Sequence, residues 1–317
     1  MNEGTKIKKI MRLTIVIPVY REHHRLAVAL KKIKAVLADT TDVEVDVVYV
    51  DDGSPADSAV VIKALIAESE HPRMRLLRYE VNQGKGHAVK TGVMEANGDY
   101  ILMSDADLST PIEDWRRLFA AIEAGADIAC GSRAVPGANV GLQPPIHRRF
   151  LSRIFNVLVR GAGVDGIRDT QCGFKLFRTH VAKRVFEKMQ TRRFAFDVEM
   201  LALARDMGYQ VAEVPVNWDY SGHSTVRLFS SGAGMLFDLF RLAFKRLFFG
   251  KFKTLEEKKR IRKKRDEVFV DCWCFGVPGC VRGRDGGNGE NAAAGAGCRC
   301  RCGRRIVRSG GSRLQGF

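Results

Sequence analysis

Apolar runs alternate with amphipathic stretches along the first half of the chain, which predicts strands that alternate with helices. β-branched runs over residues 13–19 and 43–50 predict the first two strands, and apolar positions at helical spacing over 26–37 lie between them. The pattern then predicts a helix over 60–66, a strand over 74–79, a helix over 87–96 and strands over 101–103 and 127–131. This alternation is typical of an α/β fold with a doubly wound, mostly parallel sheet flanked by helices.

Polar residues follow the predicted strands at the points where the strands end. In an open α/β sheet, ligands bind outside the carboxyl ends of the strands. We therefore expect the following side chains to converge at one edge of the sheet: Glu22, Asp51, Asp52, Lys85, Asp105, Asp107 and Arg133. Solvated loops with no shared role would not need to fall so consistently at strand ends.

Asp105 and Asp107 come directly after the apolar run 101–103 and are separated by one residue. On an irregular loop, two such carboxylates can face one hard cation, Mg²⁺ or Mn²⁺, which then bridges to substrate phosphate oxygens. Taken alone, an Asp-x-Asp motif is more often a solvated turn that caps the next helix, so the surrounding motifs have to favour the metal. The residues 110–113 (TPIE) resemble a capping box with proline at the first helical position, which predicts a helix directly after the aspartates.

The second half of the core begins with a loop rich in Gly and Pro over 135–145. The basic cluster 147–149, with Arg148 and Arg149, precedes a predicted helix over 150–159. It fits either phosphate capture or a solvated helix end, and spacing leaves both open. Segments 166–177, 194–203 and 211–218 complete the core. Asp197 and Glu199 are two apart on a predicted helix, so they should point to different faces.

Composition describes an ordinary globular core followed by a basic tail. The net charge is +16 with 45% hydrophobic residues, and residues 251–317 hold 17 Lys and Arg against 7 Asp and Glu. Only Cys130 and Cys172 fall in the first 250 residues, which favours a reducing compartment and excludes a disulfide framework there. The sequence shows no signal-peptide pattern and no uncharged apolar run of about 18 residues, so we expect no export and no membrane span.

Residues 235–249 interleave charged and large apolar side chains, the charged ones being Asp238, Arg241, Lys245 and Arg246. We interpret the segment as an amphipathic helix that lies on an anionic cytoplasmic membrane surface, with a core-packing helix as the alternative. The basic segment 251–267 could add electrostatic attraction to that surface. It lacks the interleaved aromatic residues of nucleic-acid binders, so no nucleic-acid partner is expected.

Residues 268–317 form a low-complexity tail rich in Gly, Arg and Cys. Its Cys-x-Cys spacing and lack of His disfavour a zinc module. Disorder and a C-terminus altered by a change of reading frame both fit this composition.

Several separated motifs, taken in order, resemble the nucleotide-sugar half of the family 2 glycosyltransferases of GT-A fold. They are Ile17-Pro18-Val19-Tyr20 with Glu22, then 51–54 (DDGS), 82–86 (NQGKG) and Asp105-Ala106-Asp107. Segments 166–177, 194–201 and 212–218 resemble more narrowly the dolichyl- or polyprenyl-phosphate β-glucosyltransferases. The resemblance implies one GT-A domain over 1–250, with a nucleotide-sugar half at about 12–133 and an acceptor half at about 134–250.

The resemblance also implies a role for each matching residue. Pro18, Tyr20, Glu22, Asp51 and Asp52 would surround the nucleotide, with Asp52 accepting a hydrogen bond from uracil, and Lys85 would meet the diphosphate. Asp107 would bind the metal directly, and Asp105 would contact the ribose or reach the metal through water. Gln171 would lie near the transferred sugar, and Arg133 with Arg148 or Arg149 would hold the acceptor phosphate. Where relatives often have Gly-Ser-Lys, this chain has His223-Ser224-Thr225, and Arg227 is the candidate substitute.

The implied activity is metal-dependent, inverting transfer of glucose from UDP-glucose to a dolichyl or polyprenyl phosphate by a peripheral membrane enzyme. The acceptor phosphate has a second pKa near 6 and needs little general-base help, so positioning and charge should dominate. Mannosyl transfer from GDP-mannose is an alternative. A non-catalytic nucleotide-sugar binding protein is another, which the intact Asp105, Asp107, Lys85 and Arg133 argue against.

Overall fold

A computed structural model describes residues 10–69, 73–141, 159–219 and 228–249, all within one compact unit, Met1–Lys258. The second unit, Lys259–Phe317, lies outside the described residues, and so do the whole basic segment 251–267 and the whole tail 268–317. The described strands are β1 (Met11–Val19), β2 (Val43–Asp51), β3 (Met74–Arg78), β4 (Tyr100–Met103), β5 (Ile128–Ser132), β6 (Asn139–Val140), β7 (Lys175–Arg178), β8 (Val211–Pro215) and β9 (Asn217–Trp218). The described helices are α1 (His23–Asp39), α2 (Ala56–Ala67), α3 (Lys85–Glu95), α4 (Trp115–Glu123), α5 (Thr179–Lys188), α6 (Phe196–Asp206) and α7 (Leu228–Phe249).

The central sheet confirms the predicted α/β architecture. Its strand order is β3-β2-β1-β4-β7-β5-β8, and β6 pairs with β9 in a separate two-stranded sheet. β1 lies in the middle because its apolar run is buried on both faces, as the continuous β-branched sequence requires. The order reverses at β1 and β4, the position at which doubly wound sheets bind ligands.

One strand runs against the others, and it brings a turn to the ligand-binding edge. β7 is antiparallel to both of its neighbours, so its first residue, Lys175, pairs with Met103 at the end of β4 and with Cys130 near the end of β5. The turn that precedes β7 therefore lies where the parallel strands end. The periodicity of segment 166–177 did not reveal this reversed direction.

The structure corrects two local predictions. The helix after the aspartates begins with a 3₁₀ turn, Ile112–Asp114, preceded by Pro111, and no side chain caps it, so the predicted capping box does not form. The Gly- and Pro-rich segment 135–145 includes strand β6, which pairs with β9. Backbone pairing with an extended segment outweighs the local loop preference there. The predicted helix over 150–159 lies almost wholly outside the described residues.

Helix α7 has one buried and one exposed apolar face. Leu239 and Leu242 are buried, whereas the exposed phenylalanines form a ridge along the opposite face. The members of this ridge are Phe237, 67% exposed, Phe240, 63%, Phe244, 46%, and Phe248, 65%. The interpretation of segment 235–249 as a core-packing helix fits the face that carries Leu239 and Leu242. The interpretation as an exposed amphipathic helix fits the face that carries the phenylalanines.

The inward face of α7 also carries charge, which corrects the interpretation of its basic residues. Arg246 Nη2 lies 2.7 Å from Asp206 Oδ1, and its side chain is mostly buried. Lys245 donates a hydrogen bond to Gln190 Oε1 at 3.0 Å. Arg241 is exposed. Arg246 therefore ties α7 to α6 and is not available to a membrane surface.

Candidate active site

Asp52, just beyond β2, holds the loop that leads into α3. Its carboxylate accepts hydrogen bonds from Asn82 Nδ2 at 2.9 Å, from the Gln83 amide at 2.8 Å and from the Gly84 amide at 2.9 Å. Burial raises the pKa of Asp52, and the two backbone donors oppose that shift. Gly84 has a φ of +104°, and a Cβ there would collide with the Arg192 carbonyl oxygen, so only glycine fits at this point. Asp52 thus orders the loop that presents Lys85.

Lys85 and Asp105 form the charged centre of the site. Lys85 is the first residue of α3, and its Nζ lies 2.5 Å from Asp105 Oδ1 beyond the end of β4. Burial alone would raise the pKa of Asp105, but the Lys85 ammonium, with Lys175 and Arg133, lowers it below the usual range. Asp105 is therefore an ionised carboxylate that is paired with the Lys85 ammonium group.

Asp107 lies two residues further along the same loop and is partly exposed. Its Oδ1 accepts a hydrogen bond from the Ser109 amide at 3.0 Å, and its Oδ2 lies 4.0 Å from Arg25 Nη1. The same arginine nitrogen lies 3.5 Å from Glu22 Oε2. The ends of β1 and β4 are thereby joined, as predicted for Glu22 and Asp107.

The turn over residues 169–174, here called the β7 turn, packs directly against Asp105. An added Cβ at Gly173 would collide with both carboxylate oxygens of Asp105. The Phe174 carbonyl oxygen accepts a hydrogen bond from the Gly131 amide at 2.8 Å, which joins the turn to β5. Gln171 Nε2 lies 3.2 Å from Met235 Sδ of α7. Gln171 therefore joins the β7 turn to the helix that carries the phenylalanine ridge.

Arg133 is fixed by a partner that sequence reasoning missed. Its Nε and Nη2 form a bidentate pair with Asp169 at 2.7 Å and 2.9 Å, and its guanidinium lies 5.3 Å from the Trp218 ring centroid. Burial lowers the pKa of Arg133, but the Asp169 carboxylate outweighs this and the net shift is upward. The Glu213 carboxylate in turn accepts a hydrogen bond from the Asp169 backbone amide at 2.9 Å. Asp169 falls within the segment that carried the resemblance, which was the available signal.

The predicted nucleotide-binding residues occupy different depths. Asp51 has no exposed surface, and its carboxylate accepts hydrogen bonds from the Ser54 backbone amide and from Arg78 Nε, both at 3.1 Å. Full burial leaves Asp51 no exposed surface for the predicted contact with the nucleotide sugar, so it supports the site from beneath. Pro18 is half-buried, and Tyr20 is exposed with the Arg21 guanidinium 5.3 Å from its ring centroid.

A fully buried ion pair is electrostatically coupled to Asp105. Lys175, fully buried in β7, has its Nζ 2.5 Å from Asp197 Oδ1 on α6. Glu199 instead accepts the backbone amides of Gln190 and Thr191, which confirms that the two acidic residues point to different faces. The sequence signal was the position of Lys175 in the otherwise apolar run KLF, because a buried lysine needs an acidic partner.

The predicted acceptor residues Arg148 and Arg149 lie outside the described part of the chain, as do the departure at 223–225 and its candidate substitute, Arg227. Among the described residues, no group of three or more His, Cys, Asp or Glu side chains could hold a metal ion by itself. The part of the chain that the structure describes also contains no helix with the length and apolar character needed to cross a bilayer.

An acidic pair and a lysine at the carboxyl edge of a doubly wound sheet are typical of α/β proteins that bind a ligand at that edge. Residues 14–186 match the profile of the family described as Glycosyl transferase family 2. The dolichyl-phosphate beta-glucosyltransferase of Dictyostelium discoideum is 35% identical over 244 residues, which cover 74% of this chain and 75% of that protein. The Homo sapiens dolichyl-phosphate beta-glucosyltransferase is 35% identical over 221 residues, 65% of this chain and 67% of the relative. This chain therefore belongs to glycosyl transferase family 2.

Solved structures support the same fold. Glucosyl-3-phosphoglycerate synthase from Mycobacterium tuberculosis, in complex with Mn²⁺, UDP-glucose and glycerol 3-phosphate, has a TM-score of 0.53 at 15% identity, over 74% of this chain and 80% of that one. Mannosyl-3-phosphoglycerate synthase from Rubrobacter xylanophilus has a TM-score of 0.51 at 14% identity, over 78% and 77% of the two chains. The predicted GT-A fold and the resemblance to dolichyl-phosphate glucosyltransferases are both confirmed.

Proposed function

We propose that this protein transfers glucose from UDP-glucose to the phosphate of a dolichyl or polyprenyl lipid, with inversion at the anomeric carbon. The observation that carries the proposal is the Lys85–Asp105 pair at the end of β4, with Asp107 and the β7 turn beside it. The dolichyl-phosphate beta-glucosyltransferases among the relatives support the glucose donor and the lipid acceptor.

The carboxylates of Asp105 and Asp107 fit a divalent cation, Mg²⁺ or Mn²⁺. Both are oxygen donors, which these cations prefer, and Asp105 already holds the Lys85 ammonium at 2.5 Å. When bound, the metal supplies positive charge that stabilises the departing nucleoside diphosphate. The M. tuberculosis synthase, a neighbour in fold, binds Mn²⁺ together with UDP-glucose.

Lys85 supports the diphosphate in two ways. Its ammonium can move from Asp105 to a phosphate oxygen, and it stands at the N-terminus of α3, where the helix dipole favours anions. The loop that Asp52 orders keeps this helix end in place. Pro18, Tyr20 and Glu22 then border the base and ribose.

The acceptor phosphate is already largely anionic at neutral pH, so the protein has to position it rather than deprotonate it. Arg133 is locked by Asp169 and Trp218, and its Nη1 takes no part in the bidentate pair. We assign Arg133, with Arg148 or Arg149, to the acceptor phosphate. An oxygen of that phosphate attacks the anomeric carbon while the bond from that carbon to the UDP oxygen breaks on the opposite face.

An assay with purified protein tests this function. We expect transfer from UDP-glucose to a polyprenyl phosphate, and little transfer from GDP-mannose. The donor preference is also expected in calorimetry, with UDP-glucose binding more tightly. Faster transfer from GDP-mannose, or tighter binding of GDP-mannose, would favour the mannosyl alternative. Binding of a nucleotide sugar with no transfer would favour the non-catalytic alternative.

The phenylalanine ridge of α7 is the proposed contact with the lipid surface. The ridge lies on the helix whose Met235 contacts Gln171, so a bilayer at the ridge brings a lipid phosphate towards the β7 turn. Apolar insertion and basic attraction together are what reversible peripheral binding requires.

Replacement of Phe240 and Phe244 by serine is expected to weaken sedimentation with anionic liposomes by at least about tenfold, because two exposed aromatic side chains no longer insert. UDP-glucose binding should be unchanged. The matched control is Val28→Ser with Val60→Ser, which removes exposed apolar residues from α1 and α2. High salt should release the parent protein by screening its charges. Equal sedimentation of the phenylalanine variant and its parent would remove the ridge from the proposal.

A further inference from the structure

The buried pair of Lys175 and Asp197 touches no position assigned to a substrate, yet it is bonded to the β7 turn. Lys175 Nζ lies 2.5 Å from Asp197 Oδ1 and donates a second hydrogen bond to the Cys172 carbonyl oxygen at 2.5 Å. Cys172 is the residue between Gln171 and Gly173. One ammonium therefore joins α6 to the middle of the turn.

The same turn contacts three other parts of the site. Asp169, at its start, holds Arg133, and Gln171 contacts α7. Gly173 lies against the Asp105 carboxylate. A displacement of the turn would therefore move the acceptor arginine, the sugar-proximal glutamine and the metal-binding loop together.

The pair is also electrostatically coupled to the charged centre. The Lys175 charge lowers the pKa of Asp105, and the Asp197 charge raises the pKa of Lys85. A buried ion pair is a poor device for stability alone, since apolar residues of similar volume often replace such pairs at no cost. Its presence in β7 therefore points to a geometric role.

We infer that Lys175 and Asp197 are positioning residues that hold the β7 turn in register with Asp105 and Arg133 for glucosyl transfer. The inference rests on the proposed function, because that function assigns Asp105 to the metal and Arg133 to the acceptor phosphate, and both contact this turn. Neither residue is assigned a contact with substrate. Both act through Cys172 and its neighbours.

The test compares Lys175→Met with the double variant Lys175→Met/Asp197→Leu. The single variant leaves Asp197 buried without its partner and should unfold at a clearly lower temperature. The double variant removes both charges and should recover to within about 5 °C of the parent. Its kcat should nevertheless stay at least about tenfold low, with the dissociation constant for UDP within about twofold of the parent, because only the turn is displaced.

A substrate-free readout is the alkylation of Cys172 by N-ethylmaleimide, followed by mass spectrometry of its peptide. Burial raises the pKa of the Cys172 thiol to about 11 and that of Cys130 to about 12, so both should react slowly in the parent. In the double variant we expect Cys172 to react at least about tenfold faster, while Cys130, in β5, stays protected.

Joint loss of turnover and of Cys172 protection in a stable double variant supports the inference. Parental kcat, parental protection of Cys172, or failure of the double variant to recover stability would each overturn it. Failure of the parent to transfer glucose would refute the proposed function alone, because the alkylation rates need no substrate.

Discussion

Asp107→Asn is expected to lower the rate of glucosyl transfer by at least about a hundredfold. Asparagine retains an oxygen that can accept the Ser109 amide, so the turn should persist while the negative charge is lost. The variant should consequently need far more Mn²⁺ for residual activity. Chelation of the parent with EDTA should abolish turnover, and added Mg²⁺ or Mn²⁺ should restore it.

Asp39→Asn is the matched control, since this aspartate is exposed at the end of α1 and far along the chain from the acidic loop. It should turn over like the parent and show the same metal requirement. Normal turnover by Asp107→Asn, or an EDTA-treated enzyme that keeps its rate, would contradict the metal assignment. Calorimetric titration with Mn²⁺ in the presence of UDP checks the same assignment without turnover.

The sequence predicted the strand ends well because burial of continuous apolar runs leaves few alternatives. β1, β2 and β4 lie where their β-branched or apolar runs stand, and the polar residues after them meet at one edge. Lys85 and Asp105 are 20 positions apart, and only the parallel topology could predict that they would approach.

The support of the site was harder to predict. Which carboxylate lies beneath the surface depends on partners distant in sequence, such as Arg78 for Asp51 and Asp169 for Arg133. The antiparallel direction of β7 is a property of chain topology and leaves no mark on a short apolar run. The inward position of Arg246 on α7 could not be predicted, because the basic residues near it in sequence look alike and its partner, Asp206, is distant in sequence.

Gly173→Ala should abolish most activity while leaving the fold nearly intact. The added Cβ collides with the Asp105 carboxylate, which is the movable end of a side chain and can swing away. Gly173 does not need a positive φ, so alanine fits its backbone. Stability should fall by at most about 1 kcal/mol, because the Lys85–Asp105 pair is partly exposed. Turnover should fall at least about a hundredfold, since the displaced carboxylate no longer faces the metal or the donor.

Gly161→Ala provides the control, because an added Cβ there meets nothing within 4 Å. It should match the parent in kcat, in Mn²⁺ affinity measured with UDP and in thermal stability. Parental turnover by Gly173→Ala would show that Asp105 works from another position and would contradict the site described above. A large loss of stability would instead show that the backbone of the β7 turn, rather than the carboxylate, yields to the methyl group. The two outcomes are distinguishable because the Asp105 carboxylate can move by side-chain rotation alone. The backbone of the turn cannot move without breaking the hydrogen bond that joins it to β5 through Gly131 and Phe174.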